Sequence, residues 1–205
     1  YITQRISRMA REEEEPCVNA ERMIDRIAQE NGIRYAALQR QAILLAAERR
    51  ALILTGGPGT GKTTTLAGIL ALFDRMDKKT LLAAPTGRAA KRLSELTGCE
   101  ASTIHRLLEA QVSPETGEMF FRRDAREPLD CDALIVDEMS MVDLLLMHSL
   151  LRALPEQATL IMVGDPDQLP SVGAGNLFSD LIRSGMVQTV CLTEIFRQAQ
   201  QSLIV

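Results

Sequence analysis

The chain has few aromatic residues and few cysteines. Its 205 residues include no Trp, and Phe and Tyr together make up 3%, so it has few of the base-stacking platforms that many single-strand-binding proteins use. The cysteines lack the C-x-x-C spacing of zinc and redox sites; they are Cys17, Cys99, Cys131 and Cys191. We expect buried free thiols in a reducing compartment.

The chain also lacks an excess of positive charge and long apolar segments. The formal net charge is −4 and the pI about 5.3, so the chain as a whole is not attracted to nucleic acid or to anionic membranes, although a local groove can still be basic. No signal peptide is visible, and no apolar run approaches the length of a membrane span. Hydrophobic residues make up 46%, an ordinary globular share. We therefore predict a cytoplasmic globular protein.

The most informative segment is the glycine-rich loop GGPGTGKT at 56–63. It follows the apolar run 51–55 and precedes a helix-compatible run at 64–73, which is the strand, loop and helix context of a phosphate-binding loop. The glycines let successive backbone N–H groups converge on phosphate, and the helix N-terminus adds partial positive charge. Lys62 is placed to reach the β- and γ-phosphates, and the Thr63 hydroxyl to coordinate Mg²⁺.

Short apolar runs and helical patterns alternate along the rest of the chain. Near-continuous apolar runs, typical of buried parallel strands, lie at 51–55, 80–84, 133–137, 159–164 and 187–192. Helical patterns lie at 1–11, 19–31, 36–49, 63–76, 87–96, 103–110, 142–154 and 176–184. We predict a doubly wound α/β domain. Residues 111–130 break the rhythm and fit a surface hairpin or loop, with Phe120 and Phe121 packed against the body.

Polar residues follow several of these strands, at the edge where open α/β sheets bind ligands. Asp137 and Glu138 end the run that begins at Ala133. Asp137 is suited to hold Mg²⁺, and Glu138 to orient and deprotonate the attacking water. Gln168, in a loop stiffened by Pro and Gly, could sense a γ-phosphate with its side-chain amide. Arg197 carries a delocalised charge that suits stabilisation of a transition state.

In this order the motifs resemble those of the RecD-type helicases, superfamily 1 enzymes that move 5′ to 3′ on DNA. LQRQAI at 38–43 resembles the Q motif, TGGPGTGKTT at 55–64 motif I (Walker A), APTGRAAKR at 84–92 motif Ia, STIHRL at 102–107 the motif after it, VDEMSMVD at 136–143 motif II, VGDPDQLP at 163–170 motif III, and LTEIFR at 192–197 motif IV. The resemblance implies a RecA-like P-loop NTPase domain, the first motor domain of an ATP-dependent helicase in DNA recombination or repair.

The resemblance also implies roles for individual side chains, with Gln39 reading the adenine and Arg197 acting as a finger on the γ-phosphate. ATP would be held by Gln39, Gly57, Pro58, Gly59, Thr60, Gly61, Lys62, Thr63 and Thr64, with Mg²⁺ on Thr63 and Asp137. Hydrolysis would depend on Lys62, Glu138, Gln168 and Arg197. Single-stranded DNA would lie against Pro85, Thr86, Arg88, Thr103 and His105. The two Thr hydroxyls and nearby N–H groups can bond phosphates without reading sequence.

The same implied roles predict a sheet topology and a domain division. A Gln168 that senses the γ-phosphate must face the loop beside Lys62, so the run 159–164 should neighbour 51–55, which gives the strand order 5-1-4-3-2. Residues 1–35 are expected to be the helical end of an upstream region, and residues 36–205 a motor domain 1A that is cut short at its C-terminus. The implied partners are single-stranded DNA, a second motor domain beyond Val205, and RecB/RecC-like subunits in heterotrimeric members.

Two other functions are alternatives, and the first of them stays open. A conjugative (TraA-like) relaxase–helicase shares these motifs and carries its nicking domain elsewhere, and nucleotide kinases and signalling switches also contain phosphate-binding loops. Against a kinase or switch, the side chains that serve hydrolysis are Gln39, the Asp137–Glu138 pair, Gln168 and Arg197. In addition, no acceptor-substrate lid is apparent. His105 could equally be a hydrogen-bonded histidine at a helix start. Arg88, Lys91 and Arg92 could equally form a solvated helix face.

Overall fold

The computed structural model of this chain describes residues 1–12, 17, 19–168 and 176–194, so the predicted arginine finger, Arg197, lies outside the described residues. The helices are α1 (Ile2–Arg11), α2 (Ala20–Glu30), α3 (Ala37–Glu48), α4 (Lys62–Arg75), α5 (Gly87–Thr97), α6 (Ile104–Leu107), α7 (Leu144–Ala153) and α8 (Leu177–Ser184), with a 3-10 helix at Met139–Met141. The strands are β1 (Ala51–Gly56), β2 (Thr80–Ala84), β3 (Ala101–Thr103), β4 (Ala110–Val112), β5 (Met119–Phe121), β6 (Ala133–Val136), β7 (Thr159–Gly164) and β8 (Gln188–Leu192).

Six parallel strands form the main sheet in the order β3-β2-β6-β7-β1-β8. The α/β class is confirmed, and the five strands that the sequence predicts keep their predicted relative order, with β7 between β1 and β6. The predicted order is nevertheless incomplete, because β3 adds a sixth strand outside β2. Since β6 does not pair with β1, the topology argues against the kinase or switch alternative.

Alternating side chains of the strands build two hydrophobic layers, one on each face of the sheet. On one face Leu54 and Ile135 belong to the layer that α2, α3, α4 and α5 cover. On the other face Ile53 and Val136 belong to the layer that α1, α6, α7 and α8 cover. All six residues of β1 and of β7 are buried, as a sheet covered on both faces requires. The strand ends are therefore fixed from two sides.

The N-terminal helices pack against the same two layers. Ile6 and Met9 of α1 join the layer on the α7 side, and Ile24 and Ile27 of α2 join the layer on the α4 side. Arg5 adds polar contacts, because its Nη2 donates to the carbonyl oxygens of Leu154 and Pro155 at 3.3 and 3.0 Å. The three helices predicted before residue 50 are thus present. The division into two domains at residue 35 stays a prediction.

The segment between β3 and β6 differs from the sequence prediction. The helix predicted at 103–110 covers only Ile104–Leu107, because Ala101–Thr103 pairs with β2 and Ala110 pairs with Phe121 in a hairpin. The predicted hairpin itself is confirmed as the antiparallel pair β4–β5. Phe121 is partly buried against the core, but Phe120 is 45% exposed. The predicted packing of Phe120 is wrong, since successive strand residues point to opposite sides.

The cysteines are free, as predicted, but they are not all buried. Cys131 is buried, whereas Cys99 and Cys191 are exposed and Cys17 is half-buried. Burial, with the neighbouring Asp132 and Asp130, raises the pKa of Cys131 to about 12. Within the described part of the chain, no helix has both the length and the apolar character needed to cross a membrane.

Candidate functional site

The phosphate-binding loop links the buried end of β1 to the start of α4, and its glycines are required by geometry. Gly61, the N-cap of α4, has φ 85 in the left-handed region, where residues with a Cβ are strained. Gly56 has φ 150, and a Cβ there would lie 2.6 Å from the carbonyl oxygen of Leu192 and 2.7 Å from Oγ1 of Thr60. The loop can therefore lie against β8 only if position 56 carries no side chain.

Lys62, the first residue of α4, is folded back over this loop. Its Nζ donates to the carbonyl oxygens of Gly56 and Gly57, the second at 3.0 Å. The first backbone N–H groups of a helix have no partner within the helix, so the loop presents donors and a positive charge together. A phosphate group can exchange the two carbonyl contacts of Lys62 for charge-assisted bonds, which are the stronger kind.

Some threonine hydroxyls of this region hold the loop in shape, and others are available for a ligand. Thr60 Oγ1 donates to Gly57 O at 2.9 Å, and Thr65 Oγ1 donates to Gly61 O at 3.0 Å, so both hold the loop in shape. The Thr63 hydroxyl has no hydrogen-bond partner among the described residues and is half-buried in the first turn of α4. The Thr64 hydroxyl has no such partner either. The hydrogen bonds therefore leave both hydroxyls available, and the metal-ligand role of Thr63 stays a prediction.

Asp137 and Glu138 follow β6 at the same edge of the sheet. The Asp137 backbone N–H donates to Ala83 O at 2.9 Å, which extends the β2–β6 pairing to the carboxylate. Strand alternation directs Asp137 to the α4 and α5 side, where Ile135 also packs. Glu138 has φ 54, a left-handed conformation that is uncommon outside glycine. Its backbone N–H donates to Asp137 Oδ1 at 2.9 Å, which fixes the orientation of the Asp137 carboxylate.

Burial and the neighbouring cations act in opposite directions on the pKa values of these two carboxylates. Burial is the main effect that raises the pKa of Asp137 and of Glu138, and the Asp137 charge raises that of Glu138 further. Lys62 and Arg92 both lower the two pKa values. A desolvated carboxylate is a stronger proton acceptor than an ordinary one, so Glu138 has the environment of a general base.

The residues present fit a Mg²⁺ ion whose remaining ligands are nucleotide phosphates and water. Mg²⁺ in such sites is held through one or two protein oxygens together with phosphates and water. Thr63 and Asp137 supply one hydroxyl and one carboxylate oxygen that the chain does not otherwise use. Among the residues that the structure describes, no group of three or more His, Cys, Asp or Glu is placed to hold a metal by itself.

The side chain of Gln39 is buried against the phosphate-binding loop. Its side chain is only 4% exposed, its Oε1 accepts from the Ala36 N–H at 2.9 Å, and its Nε2 donates to Gly61 O at 3.4 Å. Gln39 thus caps α3 and joins that helix to the turn that begins α4. A narrow cleft lined by Leu38, Thr60 and other residues adjoins it. Adenine recognition by Gln39 stays a prediction.

The loop after β7 lies beside the phosphate-binding loop because β7 pairs with β1. Thr55 is in register with Gly164, so both loops leave the sheet at neighbouring positions. Gln168 is exposed, and its backbone N–H donates to Asp165 O at 3.2 Å. Asp165, to which sequence analysis gave no role, is 4% exposed, accepts from the Asp167 N–H at 3.1 Å and raises the pKa of Glu138. The strand-end rule that found Asp137 could have found it.

The five predicted DNA-contact residues gather at the ends of β2 and β3. Ala84 and Thr103 are in register, so Pro85 and Thr86 lie next to the start of α6. Thr86 Oγ1 accepts from the Ala89 N–H at 3.2 Å, and Thr103 Oγ1 accepts from the Arg106 N–H at 3.1 Å. Both hydroxyls cap helices and keep a proton to donate.

The remaining two DNA-contact candidates have different surroundings. Arg88 is exposed in the first turn of α5. The His105 ring centroid lies 5.7 Å from that of Phe121 at a tilt of 53°. His105 therefore packs on the β4–β5 hairpin, which gives it a structural role whether or not it also meets DNA.

Comparison with known proteins finds a matching domain family and relatives that are DNA helicases. The AAA domain family matches residues 39–174. The ATP-dependent RecD2 DNA helicase of Deinococcus radiodurans is 45% identical over 159 residues, which cover 78% of this chain and 21% of that protein. The RecBCD enzyme subunit RecD of Mycolicibacterium smegmatis is 43% identical over 167 residues, which cover 70% of this chain and 30% of that protein.

Solved structures agree on the fold. A Pif1 helicase from Candida albicans superposes with a TM-score of 0.56 at 26% identity, over 81% of this chain and 41% of that one. The chain spans only about a fifth to a third of the length of the curated relatives described above. The similarity therefore concerns one part of those larger proteins.

Proposed function

Because this chain belongs to the AAA domain family, as a motor domain of the RecD-type superfamily 1 helicases, we propose that it binds and hydrolyses ATP to drive movement on single-stranded DNA, from 5′ to 3′. The full-length protein would act in DNA recombination or repair. One observation carries the proposal. Lys62, Thr63, Asp137 and Glu138 meet at a single sheet edge through the order β6-β7-β1.

In this proposal each residue of the edge has one chemical task. The backbone N–H groups from Gly57 to Thr64, except at Pro58, which has none, bind the phosphates together with the Lys62 ammonium. The γ-phosphorus would then lie in line with a water held by Glu138. Glu138 takes the proton of that water. Gln168 and Arg197 orient and stabilise the γ-phosphate, and Gln39 reads the adenine.

A Mg²⁺ ion held by Thr63 and Asp137 would neutralise phosphate charge in the transition state. The hydroxyl of Thr63 and the Oδ2 of Asp137 support this assignment, because neither has a hydrogen-bond partner among the described residues, whereas Thr60, Thr65 and Asp137 Oδ1 are engaged.

Single-stranded DNA is proposed to cross the ends of β2 and β3. Thr86 and Thr103 would donate to phosphate oxygens, and Arg88 would add charge, so binding would not depend on base sequence. Pro85 and His105 would shape the same surface. Because the net charge of the chain is −4, attraction to DNA phosphates would come from this surface and not from the charge of the chain as a whole.

The partners proposed are the second motor domain of the full-length chain and, where the protein forms a nuclease complex, RecB/RecC-like subunits in the cytoplasm. One relative named above is a RecBCD subunit. The RecD and Pif1 helicases named above do not favour the relaxase–helicase alternative. Residues 36–205 would be motor domain 1A, and residues 1–35 the end of an upstream region.

The test is strand separation by the full-length protein on duplexes with a 5′ or a 3′ single-stranded tail. We expect ATP-dependent unwinding of the 5′-tailed duplex only, and none by residues 1–205, because cleft closure by a second motor domain supplies water exclusion and orientation. Unwinding of the 3′-tailed duplex would contradict the proposed 5′-to-3′ direction of movement. Robust unwinding by residues 1–205 would contradict the proposal that a second motor domain is needed.

A further inference from the structure

The backbone that joins α6 to β4 is strained at Glu109. Its φ of 53° lies in the left-handed region, which costs free energy in a residue that carries a Cβ. Leu108, one residue earlier, is fully buried, and Ala110, one residue later, already pairs with Phe121. Contacts on both sides therefore hold Glu109 in a conformation that it would not adopt by itself.

The Glu109 carboxylate binds the chain that leaves the β4–β5 hairpin. Its Oε1 accepts from Nε of Arg123 at 2.7 Å and lies 2.6 Å from Nη2 of the same guanidinium. Its Oε2 lies 3.4 Å from Nη1 of Arg122. The backbone adds two bonds, because the Arg122 N–H donates to Glu109 O at 3.4 Å and the Arg123 N–H donates to Leu108 O at 3.2 Å. We call the contacts of Glu109 with Arg122 and Arg123 the Glu109 clamp.

The Glu109 clamp joins two elements that are both too short to be stable alone. The helix α6 has four residues, fewer than an isolated helix needs in water. The strands β4 and β5 form a separate two-stranded sheet, and a single hairpin of this kind is marginally stable. The relative orientation of α6 and the hairpin therefore depends on the contacts between them.

These contacts reach the proposed DNA surface through α6. The His105 ring packs on Phe121 with 5.7 Å between the ring centroids, and Phe121 directly precedes the arginines of the clamp. Thr103 caps the same helix, since its Oγ1 accepts from the Arg106 N–H at 3.1 Å. A shift of the hairpin would thus move His105 directly and would move Thr103 through the single turn of α6.

Glu127 offers a matched comparison, because it pairs with one of the same arginines from another place. Its Oε2 accepts from Nε of Arg122 at 3.2 Å, between side chains that are both more than half exposed. Its backbone groups bond to Asp124, and none of the hydrogen bonds described for Glu127 reaches α6. Loss of the Glu127 charge therefore removes an ion pair of the hairpin without removing the clamp.

We infer that Glu109 is a positioning residue for the proposed DNA surface: its carboxylate holds the hairpin against α6 and so holds His105 and Thr103 where a DNA phosphate meets them. Without the clamp, α6 and the hairpin move separately, and DNA binding must order them first. The inference rests on the proposed function, because it takes Thr103 and His105 to contact DNA. It adds that DNA affinity depends on a carboxylate that itself repels DNA phosphates.

The first experiment needs no DNA. His105 and His148 are the only two histidines of residues 1–205, so their ring protons can be assigned by NMR in this chain. We expect nuclear Overhauser contacts between the His105 and Phe121 rings in the parent and in Glu127→Gln, and loss of these contacts in Glu109→Gln. Contacts that persist in Glu109→Gln would overturn the positioning role, whatever the protein does.

The second experiment measures the affinity of the full-length protein for labelled single-stranded oligothymidylate by fluorescence anisotropy. We expect Glu109→Gln to weaken binding about two- to fivefold, the effect of one partly exposed ion pair, and Glu127→Gln to leave it unchanged. Glu109→Gly should weaken binding equally without a loss in thermal melting temperature, because glycine adopts this φ without strain. ATP turnover at saturating DNA should stay near the parent value in all variants, since the clamp is remote from the phosphate-binding loop.

The remaining outcomes separate the two proposals. Parental DNA affinity in Glu109→Gly, or equal weakening by Glu109→Gln and Glu127→Gln, would overturn the role of Glu109 and leave the proposed motor intact. A fall in turnover at saturating DNA would also overturn it, because Glu109 would then serve hydrolysis. A parent that does not bind the oligonucleotide would overturn the proposed DNA surface, and this inference with it.

Discussion

Two edges of this domain differ in how firmly they are built. The central edge, formed by the ends of β1, β7 and β6, rises from strands that are buried throughout and flanked on both sides. The outer edge, formed by the ends of β2 and β3 with the β4–β5 hairpin, ends in a three-residue strand. It exposes Val112 by 65% and Met119 by 58%.

The difference matches the two tasks that we propose. Hydrolysis requires donors and a base held in a fixed geometry before the substrate arrives, and the central edge supplies that. Contact with a moving DNA strand requires a protein surface that can release the DNA. The outer edge has few buried side-chain contacts, so it can change shape at low cost.

The largest effect is expected at the central edge, from Glu138→Gln in the full-length protein. The amide keeps the shape but cannot accept the proton, so turnover should fall by about 10²- to 10⁴-fold while nucleotide binding is retained. The matched control is Asp143→Asn, the same chemical change at a residue that only caps α7, where Oδ1 accepts from the Leu146 N–H at 2.8 Å. Turnover of Glu138→Gln at the parental rate would show that another group is the base.

A second test compares two adjacent glycines by chemical denaturation of residues 1–205. Gly56→Ala should lower the free energy of unfolding by roughly 2–4 kcal/mol, because the Cβ meets Leu192 O and the backbone is strained. Gly57→Ala should change it by no more than about 0.5 kcal/mol, since a Cβ there meets nothing within 4 Å. Equal stability of the two variants would mean that the loop does not lie against β8.

At the outer edge the expected effect is smaller. Thr86→Ala removes the cap of α5 and a proposed phosphate contact, so the free energy of unfolding should fall by about 1 kcal/mol. Affinity of the full-length protein for single-stranded DNA, measured by fluorescence anisotropy, should weaken equally for two unrelated sequences. Thr86→Ser keeps the hydroxyl and should keep both properties. A loss confined to one sequence would indicate base recognition instead.

The smallest effect on the protein is expected from thiol alkylation. At pH 8 Cys99 and Cys191 should react, whereas Cys131 should not, because burial raises the pKa of Cys131 to about 12 and its thiolate forms only as the pH approaches that value. Mass spectrometry of the labelled peptides reports each site. Rapid labelling of Cys131 would mean that the segment just before β6 opens easily to solvent.

Sequence predicted the central edge better than the outer one, for a physical reason. The loop at 56–63 and the Asp137–Glu138 pair carry local signals, because glycine conformations and strand-end carboxylates follow from residue type and spacing. Ala101–Thr103 carries no such signal, since a three-residue strand forms only because β2 offers it a partner. Phe120 was misplaced because the face that each hairpin residue takes depends on strand register.

The sequence also could not predict which charged residues from different helices and strands act on each other. Arg92 and Glu138 are far apart in the chain, and the charge of Arg92 lowers the pKa of Glu138 only because α5 packs on the sheet beside β2. Gln39 was found by its motif, but its bonds to Ala36 and Gly61 depend on where α3 meets the loop.

The central claim is that the central edge alone forms a nucleotide site, and calorimetric titration of residues 1–205 with ATP and Mg²⁺ tests it most directly. Lys62→Ala is the paired variant, and both proteins must unfold at the same denaturant concentration. We predict saturable, weak binding by the parent and none by Lys62→Ala. Absence of saturable heat from the parent, or equal binding by both proteins, would contradict the account.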